Sequence, residues 1–169
     1  MSSDQNTKTE TNLYTAFVGE AKACLRLLGF AERADQEGYP QIAKLFRAIS
    51  AAERVHALRH LRHLKLIQST EENLAASFES ETKVSEDIYP AFIREAEEDG
   101  NDPARLSFTH ARDAETFHGK LYKGAMDHLM AETEAPYYVC RVCGYVAEAQ
   151  PPEECPVCGA KEKAFFQVD

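Results

Sequence analysis

The sequence predicts an all-α four-helix bundle followed by a small β-rich module that binds metal. Up to about residue 131 the chain is rich in Ala, Leu, Glu, Lys and Arg, with apolar residues at helical spacing. Two Glu-x-x-His pairs lie 62 residues apart, and two Cys-x-x-Cys-Gly segments lie near the C-terminus. We expect a flexible N-terminus at 1–12, the bundle at 13–131, a linker at 132–136 and the cysteine module at 137–169.

The composition limits the partners that this chain can bind. Its 169 residues carry a formal net charge of −9, whereas nucleic acids and anionic membranes attract basic surfaces. No apolar run approaches the ~20 residues of a membrane-spanning helix. Residues 1–12 also lack the apolar stretch of a secretory signal. We therefore expect a cytoplasmic protein that binds neither nucleic acid nor membrane.

Four helices are predicted, at about 13–37, 41–67, 73–99 and 104–131. Gly38, followed by Tyr39-Pro40, gives the usual signal for the end of the first helix. Ser69 with Glu72 forms a capping box for the third helix, and we expect Asp102 to cap the fourth. The chain between these signals is long enough to form four helices.

An internal repeat relates the first two helices to the last two. Gly38 precedes Glu53 by 15 residues, and Gly100 precedes Glu115 by the same number. One helical hairpin therefore occurs twice at an offset of 62, which predicts a bundle with approximate two-fold symmetry. The third helix differs because Pro90 falls inside it and must end, kink or locally open it.

Four carboxylates and two imidazoles form a candidate metal site. Each Glu-x-x-His pair places both side chains on one helix face, and a single glutamate precedes the pairs by 33 and 34 residues. Buried carboxylates need compensating charge, which two divalent cations supply. This pattern is the known bundle arrangement for two iron or manganese ions, and the donor set suits iron. The six residues are Glu20, Glu53, His56, Glu81, Glu115 and His118.

Three other side chains near this set have less specific interpretations. His60 and His63 continue the helical stripe of His56, and we interpret them as ordinary polar residues or as residues that contact the metal ligands, with metal uptake or proton delivery as the alternative. Cys24 lies one turn after Glu20. We interpret it as a small buried apolar residue, with a redox or ligand role as the alternative.

The remaining cysteines form a second candidate metal site. Four thiolates arranged as two Cys-x-x-Cys-Gly turns make a tetrahedral site, and the spacing is a strong signal for a metal. The four residues are Cys140, Cys143, Cys155 and Cys158. A structural zinc ion is one interpretation. Tyr145, Pro156 and the neighbouring aromatic residues favour iron, because that combination resembles rubredoxin.

The whole layout resembles rubrerythrin, which joins a ferritin-like bundle to a C-terminal rubredoxin-like domain. Further segments of the chain also look like that family, namely 16–20, 30–34, 37–40, 42–49 and Tyr89-Pro90. The resemblance implies two iron ions in a carboxylate-bridged centre and one iron in the four-cysteine site. It also implies that hydrogen peroxide is reduced to water.

The resemblance further implies partners for this chain. Electrons would come from a pyridine-nucleotide-dependent reductase, directly or through a rubredoxin, and would pass through the cysteine-bound iron. A homodimer is implied, head-to-tail or with swapped helices, in which the cysteine module of one subunit docks over the di-iron site of the other.

Two positions depart from the family pattern. Val84 stands where members carry a further glutamate, and Leu27 stands where they carry the tyrosine that hydrogen-bonds it. Tyr89, the other tyrosine near the metals in the family, is retained. We expect Leu27 to pack against Val84. Glu86 is an unsuitable substitute, because five residues place it ~140° around a regular helix from Glu81.

The departures predict a six-ligand centre. One iron would be held by Glu20, Glu53, His56 and Glu115, and the other by Glu53, Glu81, Glu115 and His118. Three functions stay open at this point. They are a peroxide reductase fed by the cysteine-bound iron, a ferroxidase or dioxygen-reducing oxidase of ferritin-like type, and a non-catalytic metal-binding protein with zinc at the cysteines.

Overall fold

The computed structural model describes residues 7–127 and 135–168, and the chain divides into two compact units. The first unit ends at Gln68 and the second begins at Ser69. The first contains α1 (Lys8–Gln36) and α2 (Pro40–His63). The helical elements of the second are α3 (Thr70–Lys83), a π-helical turn (Val84–Ile88), α4 (Tyr89–Glu98) and α5 (Asp102–Asp127).

A small antiparallel sheet follows the helices in the second unit. Its strands are β1 (Tyr137–Cys140), β2 (Val146–Glu148) and β3 (Phe165–Val168), in the order β2-β1-β3. The central strand pairs Tyr138 with Ala147 on one side and with Gln167 on the other. Long helices followed by a small sheet confirm the predicted fold class.

Helix α1 begins at Lys8, five residues before the start that we expected from the sequence. A capping box at Thr7 explains the difference. The Glu10 backbone N–H donates to Thr7 Oγ1 at 3.2 Å, and the Thr7 N–H donates to the Glu10 carboxylate at 2.7 Å. Helix α2 ends at His63, four residues before the expected end. The expected end of the fourth helix at residue 131 lies outside the described residues.

The caps of the second hairpin partly match the sequence analysis. The capping box of Ser69 and Glu72 is present at the start of α3, as predicted. The prediction that Asp102 caps α5 is wrong. Asn101 caps it, because its Oδ1 accepts the backbone N–H of Ala104 at 3.2 Å, and Asp102 is the first helical residue.

The two hairpins turn in the same way, which confirms the predicted repeat. Gly38 and Gly100 have φ angles of 82° and 65°, in the left-handed region that glycine adopts without a steric penalty. The next backbone N–H reaches back over the last helical turn in both cases, at 2.8 Å. These bonds join Tyr39 to Ala34 and Asn101 to Ala96.

The repeat extends to two cavities, one at the turn end of each hairpin. Their volumes are about 400 and 300 Å³. Every residue that lines the first has its counterpart 62 positions later in the second. The first is lined by Phe30, Arg33, Ala34, Glu37, Tyr39, Ile42 and Phe46, and the second by Phe92, Glu95, Ala96, Asp99, Asn101, Ala104 and Phe108.

The π-helical turn shows how the chain accommodates Pro90. A proline lacks the N–H of a regular helical bond and clashes with the carbonyl four residues earlier, here Glu86. Five residues ahead of Tyr89-Pro90 adopt the wider turn, so the helix opens locally rather than ending. Ser85 is buried in this turn, and its hydroxyl donates to the carbonyls of Glu81 and Thr82 at 2.7 and 3.2 Å.

Small residues allow α1 and α2 to approach closely. Ala31, Ala34 and Ala43 are buried together, with Phe46 packed against them.

Within residues 7–127 and 135–168, none of the helices combines the length and apolar character that a membrane crossing requires.

Candidate metal centres

The first unit brings together Glu20 from α1 with Glu53 and His56 from α2. One donor atom from each side chain lies within 4.8 Å of the other two. His56 Nδ1 is 3.2 Å from Glu53 Oε2 and 3.8 Å from Glu20 Oε1. We call these three residues the α1–α2 half-site. It lies closer to solvent than the sequence predicted, since the His56 side chain is 54% exposed.

The two carboxylates of the α1–α2 half-site interact directly with each other. Their hydrogen bond raises the pKa of Glu20 and lowers the pKa of Glu53. Burial raises the pKa of Glu20 further, while His56 lowers that of Glu53. A divalent cation would bind both carboxylates and offset the repulsion between them, so the half-site fits a metal ion.

The second unit brings together Glu81 from α3 with Glu115 and His118 from α5. These donors also lie within 4.8 Å of one another, and we call them the α3–α5 half-site. His118 Nδ1 is 2.8 Å from Glu115 Oε2. Burial raises the pKa of Glu81 to about 7, and its hydrogen bond to Glu115 adds to the shift. The arrangement again fits a cation between oxygen and nitrogen donors.

A short distance between the helices shapes the α3–α5 half-site. A Cβ atom placed on Gly119 would lie 3.9 Å from the Cβ of Glu81, an ordinary van der Waals contact, so α5 passes close to α3 at this point. Tyr89 lies close to the half-site. Burial raises the pKa of its phenol, and the charges of Glu115 and Glu81 raise it further.

The remaining predicted positions lie on different units. Val84 is half-buried at the start of the π-helical turn, and Leu27 is half-buried on α1. Their mutual packing stays a prediction. Glu86 is exposed and lies outside both half-sites. Its position in a π-helical turn means that the angle expected for a regular helix does not apply to it.

The four cysteines of the second unit form one cluster of free thiols. Cys140 Sγ is 3.7 Å from Cys158 Sγ, and Cys143 Sγ is 3.5 Å from Cys155 Sγ. A tetrahedral ion with metal–sulfur bonds of ~2.3 Å requires sulfur atoms ~3.8 Å apart. The four thiols therefore already have the geometry of a tetrathiolate iron site.

Backbone amides and burial act in opposite directions on these thiols. Burial raises the pKa of Cys143 and Cys158. Burial also favours a higher pKa for Cys140. Hydrogen bonds from the backbone amides of Cys143 and Val142 outweigh this effect, so the pKa of Cys140 is lowered. A bound cation would stabilise all four side chains as thiolates.

The cysteine module contacts the α3–α5 half-site of its own chain. His118 Nε2 lies 3.0 Å from the backbone oxygen of Gly144, the residue after Cys143. Beside this contact the rings of Phe117 and Tyr145 meet edge to face, with centroids 4.9 Å apart. Tyr145 in turn meets Phe165 edge to face at 6.3 Å. The sequence pattern did not predict this contact, because it joins residues that are 26 positions apart.

This contact bears on an expectation that the family resemblance raised. We expected the cysteine module to dock on the other subunit, because the two sites of one chain could be too far apart. The module of this chain reaches its own α3–α5 half-site through Gly144 and Tyr145. Distance within the chain is therefore no reason for docking between subunits.

Comparisons with known proteins agree with the geometry. The sequence model described as Rubrerythrin matches residues 11–126, and the model described as the rubredoxin-like domain of rubrerythrin matches residues 138–166. Nigerythrin from Nitratidesulfovibrio vulgaris is 33% identical over 93% of this chain and 85% of its own length. Rubrerythrin from Porphyromonas gingivalis is 34% identical over 96% of this chain and 90% of its own length.

Solved structures give the same result. The mixed-valence state of nigerythrin superposes with a TM-score of 0.59 at 32% identity, over 99% of this chain and 92% of that one. Its fully reduced, all-ferrous state has the same TM-score at 31% identity, over 99% and 90%. The fold is thus ferritin-like with a rubredoxin-like domain. The Glu/His groups and the four cysteines fit its di-iron and four-cysteine iron centres.

Proposed function

The chain belongs to the rubrerythrin family, and from this premise we propose that it is a non-haem di-iron peroxidase that reduces hydrogen peroxide to water. The family makes it an oxidoreductase with iron centres, and the peroxidase activity is our proposal. The observation that carries it is the 3.0 Å contact between His118 Nε2 and the Gly144 oxygen. The contact supports the proposal, because it joins the imidazole of His118 to the residue that follows Cys143.

We propose that the two half-sites together hold two iron ions. Glu20, Glu53, His56 and Glu115 would hold one, and Glu53, Glu81, Glu115 and His118 the other. When bound, the irons supply the two electrons that, with two protons, reduce hydrogen peroxide to two molecules of water. The close pairing of Glu20 with Glu53 and of Glu81 with Glu115 supports this assignment, because a cation between two carboxylates satisfies both.

His118 has a second role in this proposal, which is to connect the two kinds of centre. The Gly144 oxygen can only accept a hydrogen bond, so Nε2 carries the proton and donates it. Nδ1 faces the Glu115 carboxylate, and with a metal bound it would give up its proton and serve as the ligand, as is usual for a ligating histidine whose other nitrogen donates to a carbonyl. The same bond forms a short covalent and hydrogen-bonded path from Cys143 to the α3–α5 half-site.

The electron donor is a partner by this proposal. A separate NAD(P)H-linked reductase, or a rubredoxin reduced by one, would pass electrons to the cysteine-bound iron. We expect the protein to be a homodimer and to work in the cytoplasm. The four free thiols are consistent with a reducing compartment, where clustered cysteines bind metals rather than form disulfides.

Val84 supports a second candidate function. An apolar residue at this half-buried position leaves the centre with ferritin-like ligands, which favours a ferroxidase or dioxygen-reducing oxidase. The oxidant therefore separates the two candidates. Peroxide must react faster in the first and dioxygen in the second.

Stopped-flow reoxidation of the fully reduced, iron-loaded protein tests the proposal. We expect the red colour of the ferric tetrathiolate to return at least ~100-fold faster with hydrogen peroxide than with dioxygen at equal concentration, a difference of ~2.7 kcal/mol in barrier. Faster return with dioxygen would support the oxidase instead. A Cys143→Ser variant, which cannot form the tetrathiolate, is the control for the optical signal.

The third hypothesis, a metal-binding protein without activity, has a simpler test. Zinc bound to the four cysteines is colourless. It does not change its oxidation state, so such a site cannot transfer electrons. Protein purified under anaerobic conditions from iron-supplied cells should contain about three iron atoms per chain. Zinc at the cysteines with no reoxidation by either oxidant would favour the non-catalytic hypothesis.

A further inference from the structure

His60 is a half-buried polar side chain that the proposed mechanism does not use. It lies on α2 one helical turn after His56, so both imidazoles are on the same face. Its Nδ1 atom is buried and has no hydrogen-bond partner among the described residues. His63, three positions later, is exposed. The two histidines of this stripe therefore have different environments.

A buried nitrogen without a hydrogen-bond partner lowers the free energy of unfolding by ~1–3 kcal/mol. Native structures usually provide such groups with a partner, which can be an ordered water molecule or an ion. His60 also interacts with the α1–α2 half-site, since its imidazole lowers the pKa of the Glu20 carboxyl. The α1–α2 half-site offers three donors, whereas iron in such centres binds more, which leaves room for water. The Nδ1 atom of His60 is therefore an available hydrogen-bond partner for such a water molecule.

We propose that His60 is a positioning residue, whose Nδ1 hydrogen-bonds a water molecule on the cation held by Glu20, Glu53 and His56. The inference rests on the proposed metal centre and adds a residue to it. The internal repeat makes His60 specific to one half, because its counterpart 62 positions later is Tyr122. Outer partners of this kind typically change metal affinity by 10–100-fold.

Three substitutions test the role of Nδ1 separately from that of the ring. An asparagine amide occupies the place of Nδ1, a glutamine amide occupies the place of Nε2, and leucine has neither. With zinc in the cysteine site, the carboxylate centre is titrated with Co²⁺ and followed by its absorption. We expect His60→Gln and His60→Leu to weaken one of the two cobalt ions ~10–100-fold, and His60→Asn to stay close to the wild type. The matched control is His63→Gln, which we expect to leave both affinities unchanged.

Other outcomes would overturn the inference. Wild-type affinity in His60→Gln would show that Nδ1 holds no group on the metal. A loss of stability in metal-free His60→Gln and His60→Leu, with His60→Asn as stable as the wild type, would show that Nδ1 bonds to protein instead. If the wild-type carboxylate centre bound no cobalt at all, the proposed di-iron centre would itself be wrong, which distinguishes the two failures. Thermal unfolding of each metal-free variant completes the comparison.

Discussion

His118 connects chemistry and architecture through its two ring nitrogens. Nδ1 faces Glu115 at 2.8 Å, and Nε2 faces the Gly144 oxygen at 3.0 Å. Gly144 has a φ angle of 81°, so the Cys-x-x-Cys-Gly turn itself presents that carbonyl to the helix. A backbone acceptor cannot be removed by substitution. The rings that hold the module in place can.

We expect Phe117→Leu to slow electron transfer between the two kinds of iron about tenfold. Phe117 meets Tyr145 edge to face at 4.9 Å, and such pairs contribute ~0.5–1.5 kcal/mol beyond their buried area. Loss of the pair therefore reduces the docked population by up to about tenfold. The measurement is single-turnover stopped flow, which follows the cysteine-bound iron after peroxide is added.

The matched control for this variant is Tyr145→Phe, which keeps the ring and removes only the hydroxyl. We expect it to behave like the wild type. If Phe117→Leu transferred electrons at the wild-type rate with both metal centres filled, the contact between Phe117 and Tyr145 would not be part of the route.

At the residue scale the sequence predicted what lies within one helix and missed what depends on tertiary contact. Glu53 with His56, and Glu115 with His118, are three residues apart, and helical geometry alone puts each pair on one face. The bond from His118 to Gly144 joins residues 26 positions apart. Nothing in the spacing predicts such a contact, although the aromatic Tyr145 beside the cysteines was a signal that could have been used.

At the scale of elements, the π-helical turn is the feature that the sequence left open. Pro90 predicted a disturbance, but an ended, kinked or opened helix all satisfy a proline. The structure shows the opened form, in which the hydroxyl of buried Ser85 donates to the carbonyls of Glu81 and Thr82. The cap of α5 was misassigned for a similar reason. Asn101 and Asp102 are both good capping residues, and only the backbone geometry chooses between them.

We expect Ser85→Ala to lower the free energy of unfolding of the metal-free protein by ~1–2 kcal/mol. The Ser85 side chain is buried, and its loss leaves the Glu81 carbonyl without the 2.7 Å bond inside the widened turn. Urea unfolding measures the change. Ser107→Ala, an exposed serine on α5, is the control and should stay within ~0.5 kcal/mol of the wild type. Equal stability of both variants would show that water satisfies the turn instead.

At the scale of the molecule, the repeat was predictable and the assembly was not. The recurring Gly, Phe and Glu positions predicted two equivalent hairpins, and the two cavities with matching linings bear this out. Each unit contains three of the six proposed ligands. In the first unit, Leu28, Leu45 and Ile49 are all at least 40% exposed. An apolar surface of this kind favours burial against another hairpin, and a sequence alone does not say which copy of the chain supplies it.

We expect the partner subunit to supply the hairpin that covers this apolar surface. Two inactive variants should then restore activity to each other. One variant carries Glu53→Ala with His56→Ala, and the other carries Glu115→Ala with His118→Ala. If the subunits exchange hairpins, a mixed dimer contains one centre with all its ligands, and random mixing gives about a quarter of wild-type peroxidase activity. If each chain completes its own centre, every centre lacks ligands and activity stays at the level of the separate variants. The variants are unfolded and refolded together, and mass spectrometry of the intact complexes confirms that mixed dimers have formed. Mixed dimers without activity would contradict hairpin exchange, while leaving both half-sites in place.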